Sequence, residues 1–265
     1  MTARVRVKKR LGQHFLHDPG VLRRLVGAIA PAPADRMVEI GPGRGALTGL
    51  LLQRLERLDV VEIDRELAAS LPDSVGNPEG LVVHTADALD FDFGSLAAGP
   101  KSLRVVGNLP YNVSTPLLFH FAAHLDAIED MHFMLQREVV DRMAAAPSTP
   151  DYGRLSVMLQ ARFAITKLID VPPGAFRPPP KVDSAVVRLV PLAPALDCDA
   201  ATFGRVVTAA FTKRRKTLRN ALAGVVQEES LAALGIDPQL RPENLAVQDY
   251  VRLARVALPD RAEGS

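Results

Sequence analysis

The residues best equipped for chemistry close an apolar run, Val105-Val106-Gly107-Asn108-Leu109-Pro110-Tyr111-Asn112. Asn108 offers a carbonyl acceptor, Pro110 lacks a backbone donor and fixes φ, and Tyr111 supplies a flat apolar face. That set suits a planar base bearing an amino group. It equally suits a turn that ends a strand, and the tetrapeptide alone does not decide. Gly41-Pro42-Gly43-Arg44-Gly45 is a second candidate, a turn where backbone could approach a ligand with no Cβ in the way. Glu62 lies 21 residues after Gly41, about the interval at which an acid grips ribose hydroxyls. Asp64 could share that role, but the apolar alternation ends on Glu62. Asp87, between Ala86 and Ala88, could accept from an adenine amino group while the small neighbours leave room for the ring.

These groups work together only if strand ends converge. Short apolar runs bounded by turn formers read as buried strands. Four such runs end at the groups just named: 36–40, 59–64, the run from 81 that leads to Asp87, and 102–108; a fifth spans 130–136. Helical periodicity separates them. Asp18 can cap a helix with Pro19 at its first position and Val21, Leu22, Leu25, Val26 and Ile29 on one face. Leu47 to Leu55 and Pro116 to Ala123 give two more. Alternating strands and helices predict a mostly parallel sheet with helices on both faces, whose ligands bind at the carboxyl ends of the strands.

Further along, 143–152 is rich in Ala, Pro, Ser and Thr and reads as a mobile loop. A helix over 155–163 and strands over 165–171 and 185–190 follow, the strands enclosing a proline-rich turn. After Pro194 the pattern turns helical, through Phe203, Val206, Val207, Ala210 and Phe211 to a last helix over 250–258. A boundary near residue 193 is expected, giving a domain of 1–193 and a small helical domain of 194–265.

A glycine turn, a ribose acid and an adenine acceptor would also serve a nicotinamide dehydrogenase. Here, however, Gly-x-Gly-x-Gly is one residue tighter than the dinucleotide spacing, and Asn-Leu-Pro-Tyr closes the fourth strand. Both favour S-adenosylmethionine (SAM), whose amino-acid tail lacks the pyrophosphate that the longer motif cradles. The expected fold class is α/β, a Rossmann-like class I SAM-dependent methyltransferase sheet with a small C-terminal helical domain.

At 48% hydrophobic and 23% charged residues the chain has the composition of a folded globular protein, which excludes disorder. Its formal charge of +2 is mild but unevenly spread. Arg4, Arg6, Lys8, Lys9 and Arg10 form one acid-free block; Lys213, Arg214, Arg215, Lys216 and Arg219 form another. A charge run is often only a solvated helix face, but two such blocks on a nearly neutral body favour a polyanionic partner. The single cysteine, Cys198, excludes an intramolecular disulfide and a cysteine-cluster metal site. No apolar stretch approaches the roughly twenty residues that span a bilayer, and no signal-peptide core follows the basic start. A soluble, unprocessed, cytoplasmic protein is expected.

Four stretches besides Asn108-Leu109-Pro110-Tyr111 carry a resemblance: 9–16 (KRLGQHFL), 39–48 (EIGPGRGALT), 176–189 (FRPPPKVDSAVVRL) and 211–220 (FTKRRKTLRN). Together the chain resembles the bacterial rRNA adenine N6-dimethyltransferases, the KsgA family, from residue 8 to about 257. The resemblance implies dimethylation of two adjacent adenosines in the hairpin loop near the 3′ end of 16S rRNA, on the assembling 30S subunit. It implies SAM as cofactor; a monomer is expected, with no metal and with neither DNA nor membrane as partner. Carried over, cofactor positions fall on His14, Leu16, Gly41, Glu62, Asp87 and Asn108; the two basic blocks themselves place RNA contacts on Lys8, Lys9, Arg10, Lys213, Arg214, Arg215, Lys216 and Arg219. His14 departs from the pattern, since the family often has asparagine there; taken by itself, it could contact cofactor or RNA, or be structural.

An adenine N6 amine is a poor nucleophile because its lone pair is delocalised into the ring. The Asn108 side-chain oxygen and the Leu109 carbonyl would take the two amino protons, Pro110 would shape the turn, and Tyr111 would stack on the base. Phe176 is a candidate for the opposite stacking face or, equally, a loop anchor. Rival readings are a resistance-type methyltransferase of large-subunit rRNA and a binding-only module of the same fold; the latter should lack the cofactor acids.

Overall fold

A computed structural model describes residues 13–110, 113–193 and 196–259. Lys8, Lys9, Arg10 and Tyr111 therefore lie outside the described residues. The chain forms two compact units, one of Met1–Val140 with Ile165–Pro191, the other of Asp141–Ala164 with Leu192–Ser265. The sequence predicts one boundary, near residue 193; the chain instead crosses between the units three times, because 141–164 packs with the C-terminal part.

In the first unit the strands, numbered in chain order, are β1 (Phe15–Leu16), β2 (Arg36–Ile40), β3 (Leu58–Glu62), β4 (Leu81–Thr85), β5 (Leu103–Asn108), β6 (Ile128–Gln136), β7 (Phe163–Val171), β8 (Phe176–Arg177) and β9 (Ser184–Pro191). The first two residues of β7 belong to the other unit. Seven strands make one sheet in the order β4-β3-β2-β5-β6-β9-β7. From β4 to β6 all pairs are parallel, and β9 runs antiparallel to β6. The chain lays β3 and β4 on one side of β2, then β5 and β6 on the other. The order thus reverses between β2 and β5, the place where open α/β sheets leave a crevice beyond their carboxyl ends.

The alternation forces this arrangement. Val38, Val60, Val105 and Val106 are fully buried, so these strands are covered on both sides and read as continuous apolar runs. Helix α1 (Pro19–Ile29) starts where the Asp18 carboxylate accepts from the Gly20 and Val21 N–H groups, each at 2.8 Å, and it buries Val21, Leu22, Leu25 and Ile29. At the amino ends of the strands Arg104 donates to Asp130 (2.9 Å) and Asp35 (2.6 Å), and Arg188 joins Asp130 at 3.1 Å. Paired in this way, buried charges at the base of the sheet leave the opposite end clear for a ligand. A short antiparallel ribbon, β1 with β8, places Phe15 opposite Arg177 and Leu16 opposite Phe176.

The second unit is mostly helical, with α6 (Arg154–Gln160), α7 (Ala200–Thr212), α8 (Leu218–Ala221), α9 (Glu228–Ala233) and α10 (Val247–Arg255), after α2 (Ala46–Leu51), α3 (Arg65–Ser74), α4 (Ser114–Phe121) and the crossing helix α5 (Arg137–Ala144) earlier in the chain. Its core gathers Tyr152, Val157, Phe203, Val206, Val207, Leu218, Tyr250 and Leu253. The mobile loop expected over 143–152 is pinned instead. The Ser148 N–H donates to the Glu243 carbonyl (2.7 Å), and the buried Tyr152 hydroxyl donates to the Leu245 carbonyl (2.9 Å). Composition missed this because the anchors are long-range partners about a hundred residues away. Among the described residues no helix is long and apolar enough to cross a membrane.

Candidate active site at the strand tips

Beyond the carboxyl ends of β2, β3 and β5 lies a cavity of about 170 Å³. His14, Leu16, Gly41, Glu62, Asp87, Asn108, Leu109 and Pro110 all line it, so the structure brings together every described cofactor and catalytic candidate. Register explains the convergence. Ile40 pairs with Val61 on one side and Gly107 on the other, so the three strands end at one level. A Cβ on Gly107 would lie 2.6 Å from the Ile40 carbonyl oxygen, so only glycine lets the tip of β5 come this close and set Asn108 beside Gly41.

The glycine turn is built for close approach. Gly43 has φ +58, and a Cβ there would meet the Phe15 ring at 3.0 Å. The Arg44 guanidinium lies 4.6 Å from the centroid of that same ring. Gly43 also donates its N–H to Glu62 Oε2 at 3.2 Å, while Asp64 donates its N–H to Oε1 at 2.9 Å. A carboxylate offers about four acceptor sites, so Glu62 keeps capacity for a further donor. Glu62 is 5% exposed, and burial pushes its pKa above the ordinary carboxylate range while those N–H groups pull it back. Asp64, the competing acid, caps α3 by accepting from the Glu66 N–H at 3.1 Å and does not line the cavity. Of the two acids the sequence favours Glu62, and it is Glu62 that lines the cavity.

Asp87 accepts the Leu89 N–H on Oδ1 at 3.0 Å, which holds the carboxylate at the rim with Ala86 and Ala88 beside it. Ile63, 49% exposed, lines the same rim and offers an apolar face. Asn108 donates from Nδ2 to the His14 carbonyl at 2.9 Å, which fixes the amide's orientation. Its Oδ1 and the Leu109 carbonyl meet no donor among the described residues, leaving two acceptors at one tip. This donor set fits SAM. A carboxylate with spare lone pairs suits a ribose, a rim acid with small neighbours suits an adenine amine, and bare glycine backbone suits the methionine tail. Among the described residues no group of three or more His, Cys, Asp or Glu side chains could hold a metal ion.

One expectation needs correcting. Phe176 is 1% exposed, packs in the core of the first unit and does not line the cavity. With its ring enclosed it has no face to offer a base, and it anchors the ribbon of β1 and β8 instead.

Sequence reasoning also missed Glu39. It is 2% exposed, lines the cavity and accepts a 2.7 Å hydrogen bond from the Thr48 hydroxyl. Burial pushes its pKa up to about 8, the Thr48 bond works against that, and the nearby Glu62 adds to the rise. The available signal was a carboxylate inside an otherwise apolar strand, directly before the glycine turn.

In the second unit the predicted basic block forms the turn between α7 and α8. Arg215 and Lys216 are exposed there. Arg214 is tied down, donating to Glu243 at 2.8 Å and to the Pro150 carbonyl at 2.9 Å; Arg219 pairs with Glu228 at 3.4 Å, and Lys213 reaches the Asn220 carbonyl at 3.5 Å. An open concavity beside this turn is lined by Arg142, Arg154, Arg214, Thr208, Thr212 and Phe211. Arg142 and Arg154 were not legible as part of the basic surface, because they lie about sixty residues upstream of the block.

A mainly parallel sheet with its order reversed at β2/β5, and a glycine turn, a ribose acid and an Asn-Leu-Pro tip around one cavity, define a SAM-dependent methyltransferase. Solved structures agree. A dimethyladenosine transferase from Plasmodium falciparum superposes with a TM-score of 0.80 at 25% identity, over 92% of this chain and 99% of its own. The 23S rRNA methyltransferase ErmE superposes with a TM-score of 0.70 at 26% identity, over 91% and 98%. The Ribosomal RNA small subunit methyltransferase A of Nitrosococcus oceani is 55% identical over 252 residues, covering 94% of this chain and 96% of its own. The family profile of Ribosomal RNA adenine dimethylase matches residues 4–257, and the chain belongs to that family.

Proposed function

We propose that this protein transfers methyl groups from SAM to the N6 amines of two adjacent adenosines in the 3′-terminal hairpin loop of 16S rRNA, acting in the cytoplasm as a monomer on the assembling 30S subunit. The observation that carries the reading is the pair of open acceptors, Asn108 Oδ1 and the Leu109 carbonyl, at the tip of β5. They accept the two amino protons of an extruded adenine, which draws the nitrogen toward a pyramidal geometry and frees its lone pair. Pro110 fixes the turn, and Tyr111 stacks on the base; such stacking contributes roughly 1–3 kcal/mol toward removing the adenine from its loop. Glu62 holds the ribose hydroxyls, Asp87 the adenine amine of the cofactor, and Gly41 with the segment of His14 and Leu16 the methionine tail. SAM, when bound, supplies an electrophilic methyl group on sulfur. The proton leaves to water after transfer, so the chain needs no general base.

Lys8, Lys9 and Arg10, with Lys213, Arg214, Arg215, Lys216 and Arg219, neutralise RNA phosphates. Arg142 and Arg154 extend that surface. The small subunit is favoured over the large because identity to a small-subunit enzyme is 55% along nearly the whole chain, against 26% to the large-subunit one. Radiolabelled methyl transfer, followed by nucleoside analysis, tests the reading. Label should appear as N6,N6-dimethyladenosine in unmethylated small subunits; label confined to large subunits or DNA would reject it.

A further inference from the structure

The wall of the cavity that carries Asp87 is a loop. Residues 86–92 follow the end of β4 as turns and irregular backbone, yet Ala86, Asp87, Ala88 and Leu89 all line the cavity. Val113 and Leu117, at the start of α4, line it too. Within the loop the hydrogen bonds are short in range: the Asp90 N–H donates to the Asp87 carbonyl at 3.1 Å and the Leu89 N–H to the Asp87 carboxylate at 3.0 Å. His120, one turn beyond Leu117, reaches across from the helix. Its ring Nε2 lies 3.0 Å from the carbonyl oxygen of Phe91. A carbonyl can only accept, so Nε2 carries the proton and donates. Ring packing continues the seam. The Phe91 ring lies 5.1 Å from the rings of both His84 and Phe93, and the buried Phe93 ring lies 4.8 Å from that of Phe121 on α4. Apolar packing brings loop and helix together but is non-directional. A directed bond to a main-chain carbonyl, four residues from Asp87, sets the register of one against the other. His120 itself does not line the cavity.

We propose that His120 is a positioning residue for the adenine half of the cofactor: without touching the ligand, its imidazole ties the 86–92 loop to α4 and so sets where the Asp87 carboxylate meets the adenine amine. The inference rests on the role proposed for Asp87 above. It gives a side chain outside the cavity a part in cofactor binding. It also makes α4, which begins just past the Asn108 tip, a common support for both halves of the site.

Measurements on the whole protein decide it, for His120→Ala and His120→Gln beside the parent. Backbone hydrogen exchange over 87–92 without cofactor should quicken in His120→Ala and return to the parental rate in His120→Gln, whose Nε2 reaches about the same point. Protection of β2 and β3 should not change, which controls for folding. Calorimetry with SAM and with 5′-methylthioadenosine, which keeps the adenine and ribose but lacks the amino-acid tail, locates the effect. His120→Ala should raise both Kd values by the same factor, roughly two- to tenfold, the worth of one hydrogen bond, and glutamine should restore both. In an Asp87→Ala background His120→Ala should add nothing, because the two changes act on one contact. Parental exchange over 87–92 in His120→Ala would overturn the proposal. So would a His120→Gln protein that behaves like His120→Ala, or a His120→Ala cost that persists in full without the Asp87 carboxylate. An Asp87→Ala protein that binds both ligands as the parent does would instead sink the role given to Asp87; exchange and the glutamine rescue do not involve that carboxylate and still decide whether His120 holds the loop.

Discussion

At the strand tips of the first unit the polar groups are few and enclosed. Glu39, Glu62 and Asn108 each have their orientation fixed by a hydrogen bond before any ligand arrives. On the second unit the cations are clustered at the surface, some tied to neighbours and others, Arg215 and Lys216, exposed at the turn after α7. The contrast follows from what each surface recognises. A small cofactor is selected by shape and by a handful of desolvated polar groups, so burial strengthens each contact. A polyphosphate backbone is held by summed charge, which works through solvent and tolerates imprecise placement.

Two variants tested for ligand binding and two followed against pH sharpen the contrast. Glu62→Ala should have the largest effect, raising the SAM Kd by roughly ten- to hundredfold, since it removes a buried charged acceptor. RNA affinity in the absence of cofactor should not change, and calorimetry beside filter binding separates the two. Arg215→Ala with Lys216→Ala should do the converse: SAM affinity holds, RNA binding falls about tenfold, and the slope of log K against log salt becomes shallower by nearly two. An unchanged slope would mean that these side chains touch no phosphate.

Glu39→Gln probes the cost of a buried acid. The folded-state pKa of Glu39 is raised, from 4.5 to about 8, so the folded protein holds a proton there that the unfolded chain has lost. Stability is therefore fullest below pH 4.5 and declines as pH rises toward about 8. The glutamine variant should gain in Tm on the parent progressively across that window, by an amount worth at most about 5 kcal/mol. A Tm difference that does not vary with pH would show that Glu39 is not held protonated. His132, buried in β6 with neither ring nitrogen hydrogen-bonded among the described residues, has the opposite sign and the smallest expected effect. Burial pushes its pKa down to about 4, against the pull of Asp130, so stability falls as pH drops from 6.5 toward 4. His132→Leu should flatten that acid limb, as read by urea unfolding at pH 5 and pH 7.

What was legible in the sequence follows the same division. Periodicity located α1 and the parallel strands because their burial is local and regular, and spacing brought Gly41, Glu62 and Asp87 to one end of the sheet. Long-range packing stayed hidden. The ribbon of β1 and β8 is two residues on each side, too short for any periodic signal, and it turned Phe176 from a candidate base platform into a core residue. The stretch 143–152 looked like a mobile loop because its anchors, Glu243 and Leu245, lie far along the chain. Glu39 was overlooked because a carboxylate in an apolar strand gains meaning only once the cavity beside it is known.

The central claim is that the tip of β5 receives an adenine amine through Asn108. Single-turnover methylation of unmethylated small subunits by Asn108→Ala, at SAM concentrations that saturate the variant, tests it directly. The account predicts a fall in rate of roughly a hundredfold or more, since one preorganised acceptor at the reacting group is lost. A variant that transfers the methyl group as fast as the parent under those conditions would contradict it.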